Sequence, residues 1–187
     1  VSDSLVSGDT VSLIFSISDK GENQSQTTYE INVQKSIKIL QYNIWNGDAL
    51  TKNKSKFLAW IKNIDPDIVT FQELVGFNKN SLLSVAQEYG HSHAEILKTD
   101  GYPVGITSKT SVSNIKRGLA GMHHGYMYCE TAGFSFYIVH LSPFEWEKRL
   151  KEAAIITNNV TTKGLTQNTI IAGDFNAMSK KDKSHYD

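Results

Sequence analysis

"TIIAGDFNA", Thr169–Ala177, is the stretch whose reading decides the fold. Ile170 and Ile171 are β-branched and apolar, and Ala172 and Gly173 are small. The stretch reads as a buried strand running into a tight end. Asp174 and Asn176 follow, two positions apart. Extended backbone repeats its side chains with period two, so both polar groups are expected on one side at the strand's carboxyl end. A carboxylate and an amide leaving an apolar strand together have no packing use. They suit a metal or phosphate site in the crevice where α/β sheets hold ligands. The competing reading is a solvated turn, because Asp and Asn favour turns.

Working outward, three more apolar strands deliver polar groups at their ends. "IKILQYNIW" (37–45) carries Asn43, "DIVTFQE" (67–73) carries Glu73, and "FYIVHL" (136–141) carries His140. A helix is expected over Asn53–Ile64, where Phe57, Leu58, Trp60, Ile61 and Ile64 share a face and Pro66 stops the run. A second is expected over Asn80–Tyr89, closed by Gly90. A third is expected to open at Pro143 and run to about Asn159, with Trp146, Leu150, Ala153, Ala154, Ile155 and Val160 inward. Between the last two helices, Ala94–Leu97, Val104–Ser108, Tyr126–Glu130 and Phe134–Leu141 read as strands. The last two form a hairpin around Ala132–Gly133. Helices between strands at both ends of a β-rich middle imply an α/β sandwich of packed sheets with helices outside.

The first 35 residues read differently. Val11, Leu13, Phe15 and Ile17 alternate with polar positions, and so do Tyr29, Ile31 and Val33. Two strands bury no core of their own. The strand Thr28–Val33 resembles the closing "TYxxxV" strand of bacterial immunoglobulin-like or cadherin-like accessory modules. The expected division is therefore 1–35, the end of such a module or a linker hairpin, and 36–187, the main domain.

Composition narrows the class. The 187 residues are 40% hydrophobic and 10% aromatic, ordinary for a globular protein. No apolar run approaches the ~18 residues of a membrane-spanning helix. The charges balance, with 19 basic and 19 acidic residues, and residues 36–187 carry only a small basic excess. That neither demands nor excludes nucleic acid, and it disfavours a processive nuclease. Cys129, the single cysteine, is expected to be a buried core thiol. The chain begins at Val1 with no basic n-region, as in a processed protein or an excised piece.

Glu73 is a lone carboxylate at the end of a buried strand, costly to desolvate unless paired or metal-bound. Few hard oxygen ligands, completed by water and phosphate, suit Mg²⁺ or Mn²⁺. His140 is either a satisfied structural residue or a group on a phosphate.

"LQYNIWN", "DIVTFQE", "VHLSP" and "IIAGDFNA", in this order, resemble the endonuclease/exonuclease/phosphatase superfamily. "YPVGITSK" (102–109) resembles its "G-x-x-I-L-S-R" strand. The resemblance covers residues 36–178 and implies a four-layer α/β/β/α sandwich of two mixed sheets with outer helices. It implies a metal-dependent hydrolase of phosphate esters working through a metal-activated water. By it, Glu73 is the metal ligand and Asn43 helps hold metal or phosphate. His140 contacts or protonates the phosphate, Asp174 orients or deprotonates the attacking water, and Asn176 binds the phosphate. The family also ends in a "S-D-H" strand, which the tail His185-Tyr186-Asp187 does not match. The expectation is the N-terminal two-thirds of the domain, with the second sheet incomplete and little activity in this piece alone.

Weaker candidates remain. His123 and His124 adjoin, so at most one is expected to reach a site. Arg149 could reach a phosphate. Lys52, Lys54 and Lys56 could meet a polyanion or form a solvated face. His91 and His93 read as loop or strand surface. The substrate stays open between nucleic acid, a phospholipid head group and smaller phosphate esters. A secreted or cell-envelope location is expected from the N-terminal resemblance. The rival is a non-catalytic binding domain that keeps the fold; a continuation into an Asp-His strand would favour the enzyme.

Overall fold

The computed structural model describes residues 10–18, 24–32, 37–164 and 167–177. The tail 178–187, the end of the second N-terminal strand at Val33 and the loop before it lie outside these. The chain divides into two compact units, 1–37 and 38–187. In the first, strands β1 (Thr10–Ser18) and β2 (Gln24–Asn32) pair antiparallel.

The second unit begins with β3 (Ile39–Asn43), α1 (Lys54–Ile64), β4 (Ile68–Gln72) and α2 (Lys79–Gln87). Strands β5 (His93–Ile96), β6 (Gly105–Ser108), β7 (Ser113–Gly118), β8 (Tyr126–Thr131) and β9 (Phe134–His140) follow. Helix α3 (Trp146–Thr162) leads into β10 (Thr169–Asp174). Two four-stranded mixed sheets result, ordered β3-β4-β6-β5 and β10-β9-β8-β7. The parallel pairs β3/β4 and β9/β10 are each joined through a helix, as parallel strands require.

Alternation along the strands assigns the layers. Val69 and Phe71 face Phe57 and Ile61 of α1 and Leu82, Val85 and Ala86 of α2 in one core. Tyr137 and Val139 pack with Leu141 against Ile156 of α3. The intervening residues Ile68, Thr70 and Gln72 of β4 and Phe136, Ile138 and His140 of β9 are also buried. They lie on the faces the two sheets turn to each other, where β10 meets β3 and β4, and β9 meets β4. The order is helices, sheet, sheet, helix, as the sequence predicts. Cys129 is a buried free thiol, and burial, aided by Glu95 and Glu130, pushes it up to about 12.

Three expectations are corrected. Strand β7, "SNIKRG", is mostly exposed and lacks apolar alternation, so the sequence pattern does not show it. Helix α3 starts at Trp146, not Pro143. Glu152 and Arg149 of the helix take the Ser142 N–H and the Ser142 and Phe144 carbonyls, holding 142–144 outside the helix. Trp146 and Leu150, expected inward, are exposed, while Glu152 on the buried stripe is fully covered.

Candidate active site

The ends of β3, β4, β9 and β10 converge. Strand pairing places Asn43 beside Gln72 and Asp174 beside His140. Asp174 reaches its place only because the residue before it is Gly173. A Cβ there would stand 1.9 Å from the Val139 carbonyl oxygen, at a backbone φ of +150°. Glu73 arrives by a different device. Strict alternation would turn it to the helix side, but Glu73 takes a left-handed φ of 61° just past β4. The reversal carries its carboxylate to Asn43.

Asn43 is the hub. Its Nδ2 donates to Glu73 Oε1 and to Asp174 Oδ2, each at 3.0 Å. Its Oδ1 accepts from the Trp45 N–H, and the Asn46 N–H donates to Glu73 Oε2 at 2.7 Å. Two carboxylates thus share one amide nitrogen, and no lysine or arginine pairs with either among the described residues; the nearest basic group is His140, its Nε2 4.0 Å from Asp174 Oδ2. A cation would relieve the repulsion between them. No group of three or more His, Cys, Asp or Glu among the described residues is placed to hold a metal. The Glu73 and Asp174 carboxylates, brought together on the Asn43 amide, are hard-oxygen donors of the kind that suit a divalent cation completed by water and phosphate.

Asn176 departs from the expected geometry. Strand β10 ends at Asp174, and Asn176 has φ 47°, so the two do not continue one extended register. Its N–H caps Asp174 Oδ1 at 2.8 Å, and its Nδ2 donates to the Leu141 carbonyl at 2.7 Å, tying β10's end to β9's. One amide hydrogen stays beside the cleft of about 430 Å³ lined by Asn43, Asp174 and Asn176.

His140 is buried, and its Nδ1 has no hydrogen-bond partner among the described residues. Its ring stacks on His124 at 4.2 Å. Burial lowers its pKa, against the opposing pull of Asp174 and Glu73. His124 is pushed down to about 3 by burial first, then by His140, His123 and the cations Lys98 and Lys148. The pair thus rests neutral at neutral pH.

The adjacent His123 and His124 do not diverge as expected for extended backbone. Their rings meet edge-on at 4.3 Å, because 121–125 is a loop between β7 and β8. His124 turns onto His140, and His123 packs on Phe144 with Lys148 donating to its Nδ1. What sets this loop is Glu152, which the sequence reading passed over. Its buried carboxylate accepts from the His123 and Ser142 N–H groups. The available signal was a glutamate four residues before Ile156 on the helix's buried stripe.

The other candidates lie elsewhere. Arg149 is spent on the carbonyls of 142 and 144. Lys52 pairs with Asp48 and Lys54 with Glu88. His91, expected at the surface, is buried. Its Nε2 donates to the Pro66 carbonyl at 2.8 Å, leaving Nδ1 to accept from Thr107 Oγ1, and burial lowers its pKa. His93 is half-buried on β5.

The fold is shared with solved nucleic-acid enzymes. A Danio rerio TDP2 complexed with a single-stranded DNA product superposes with a TM-score of 0.60 at 16% identity, over 79% of this chain and 64% of that one. The 3′ phosphatase NExo from Neisseria, bound to a product DNA hairpin, gives 0.60 at 20% identity, over 79% and 61%. An AP endonuclease from Archaeoglobus fulgidus gives 0.59 at 18% identity, over 76% and 58%. The chain spans less than two thirds of the length of each. Comparison with curated proteins gives no match. The Endonuclease/Exonuclease/phosphatase family model matches residues 40–185, which takes in all four converging strand ends. The chain belongs to the Endonuclease/Exonuclease/phosphatase family.

Proposed function

We propose that this chain carries most of the catalytic machinery of a divalent-metal-dependent phosphoric ester hydrolase whose substrate is nucleic acid. The observation that carries the reading is the Asn43 amide joining Glu73 and Asp174, with His140 beside Asp174. The DNA products in the TDP2 and NExo structures support nucleic acid over the other phosphate esters.

Glu73, aided by Asn43, would hold Mg²⁺ or Mn²⁺, which lowers the pKa of bound water and neutralises phosphoryl charge. Asp174 faces the same space and takes the proton of the attacking water. His140, held neutral by burial, offers a ring N–H to a phosphoryl oxygen as charge builds there. Asn176 adds its second amide hydrogen to the phosphate. Asn43 fixes both carboxylates, so neither must reorganise during the reaction.

The test is hydrolysis of bis-p-nitrophenyl phosphate and of a single-stranded oligonucleotide, in Mg²⁺, Mn²⁺ or EDTA. Turnover is expected with metal, none with EDTA, and a loss of two to four orders of magnitude in Asp174→Asn and His140→Ala. A folded protein that binds oligonucleotide and turns over neither substrate with any metal would replace this reading with a non-catalytic binding domain.

A further inference from the structure

Asn43 and Tyr42 line two cavities. One, described above, contains Asp174 and Asn176. The other, about 470 Å³, is bounded also by Trp45, Asp48, Lys56 and Trp60, and the proposed chemistry leaves it without a role. Its walls are unusual in three ways. Trp45 is 72% exposed, yet Ile44 just before it is buried in the core. Trp45 takes a left-handed φ of 49°, which a bulky residue seldom adopts, and Asn46 follows it at 54°. Strain of this kind persists only where the surroundings over-determine it. Here the bonds from the Trp45 and Asn46 N–H groups to Asn43 and Glu73 do so, holding the indole out in water beside the site.

The third feature is charge. Of the lysine run, Lys52 and Lys54 are committed to ion pairs, while Lys56, on the cavity wall, has none among the described residues. Trp60, 42% exposed, lies with its ring 5.2 Å from that of Tyr42. The cavity therefore offers flat aromatic surface and one uncommitted ammonium next to a phosphoryl site. A ligand that uses all of this has a planar π-face and a further phosphate.

The geometry points to a base-stacking subsite, in which Trp45 is the platform for the nucleobase next to the scissile phosphate and Lys56 meets the following phosphate. This rests on the nucleic-acid reading above. It selects single strands, because a base must leave its own stack to lie on the indole. A choline head group or a sugar ring also packs on an indole, so the contrast between base-bearing and abasic oligomers is what identifies a base.

Binding is measured in EDTA, so that hydrolysis does not enter, with fluorescently labelled oligothymidylate and an abasic oligomer of equal length. Wild type is expected to prefer oligothymidylate by roughly fivefold or more, as base–aromatic stacking provides. Trp45→Ala should abolish the preference and leave the abasic affinity unchanged. Trp45→Leu, with apolar bulk and no π-face, should do the same, and covers the case in which Trp45→Ala fails to fold. Lys56→Gln should keep the preference and flatten the log Kd against log salt slope by about 0.7. Equal wild-type affinity for the two oligomers, or equal losses on both in the Trp45 variants, would overturn the subsite. If wild type still hydrolyses bis-p-nitrophenyl phosphate with Mg²⁺ in that event, only the subsite fails. If base preference holds and no ester is hydrolysed, only the catalytic reading fails.

Discussion

At the residue scale, the left-handed backbone at Glu73 matters most. It places a carboxylate where strand alternation would put Gln72 alone, and both its oxygens are already oriented by N–H donors. Glu73→Gln keeps the shape and removes the charge. The concentration of Mg²⁺ for half-maximal activity in the Glu73→Gln protein should rise tenfold or more, with the melting temperature little changed. An unaltered Mg²⁺ titration would remove Glu73 as the ligand. In the proposed mechanism Asp174 and His140 differ in kind, acting as charge develops. Asp174→Asn should lower kcat with KM nearly constant. A raised KM at constant kcat would make Asp174 a binding residue.

At the element scale, helix α3 does more than cover a sheet. Through Glu152 it grips the loop carrying His124 and the turn after β9 that follows His140. Removing a buried carboxylate that satisfies two N–H groups leaves both donors unpaired. Glu152→Ala should cost about 2–4 kcal/mol in urea unfolding, and Glu152→Gln less, since one acceptor survives. A change under about 0.5 kcal/mol for Glu152→Ala would show that the loop holds itself. Strand β10 has its own single-residue dependence. Gly173→Ala must push the strand off Val139, and it should lower activity more than a typical surface substitution does, as read by hydrolysis at matched folded fraction.

At the scale of the whole molecule, buried histidines set the pH response. His91, His124 and His140 all have lowered pKa values, chiefly from burial. Each binds its proton more readily in the unfolded chain. Their contribution to stability is therefore complete above the unfolded value near 6.5. It is lost as pH falls from there toward the folded values, about 3 for His124. Urea unfolding midpoints should drop between pH 7 and pH 4, by up to ~1.4 kcal/mol per pH unit for each histidine. His124→Asn should make that slope shallower. A slope unchanged in the His124→Asn protein would mean that the ring is reached by solvent.

The sequence by itself determined the apolar strands of the sheets, the outer helices and the polar strand ends, because each rests on local periodicity and on apolar runs that have one way to be buried. It also determined that Asn43, Glu73, His140 and Asp174 stand at the ends of apolar strands. Tertiary structure alone decided how they meet. Glu73 and Asn176 leave the strand register through left-handed backbone, which period-two reasoning does not foresee. Glu152 became buried, and His91 with it, because partners distant in the chain satisfy them: the N–H groups of His123 and Ser142 in one case, Pro66 and Thr107 in the other. Such pairings depend on which loops pack together, and no local pattern encodes that. Strand β7 was hidden for the same reason. It forms by pairing with β8, and its exposed side chains leave no apolar trace in the sequence.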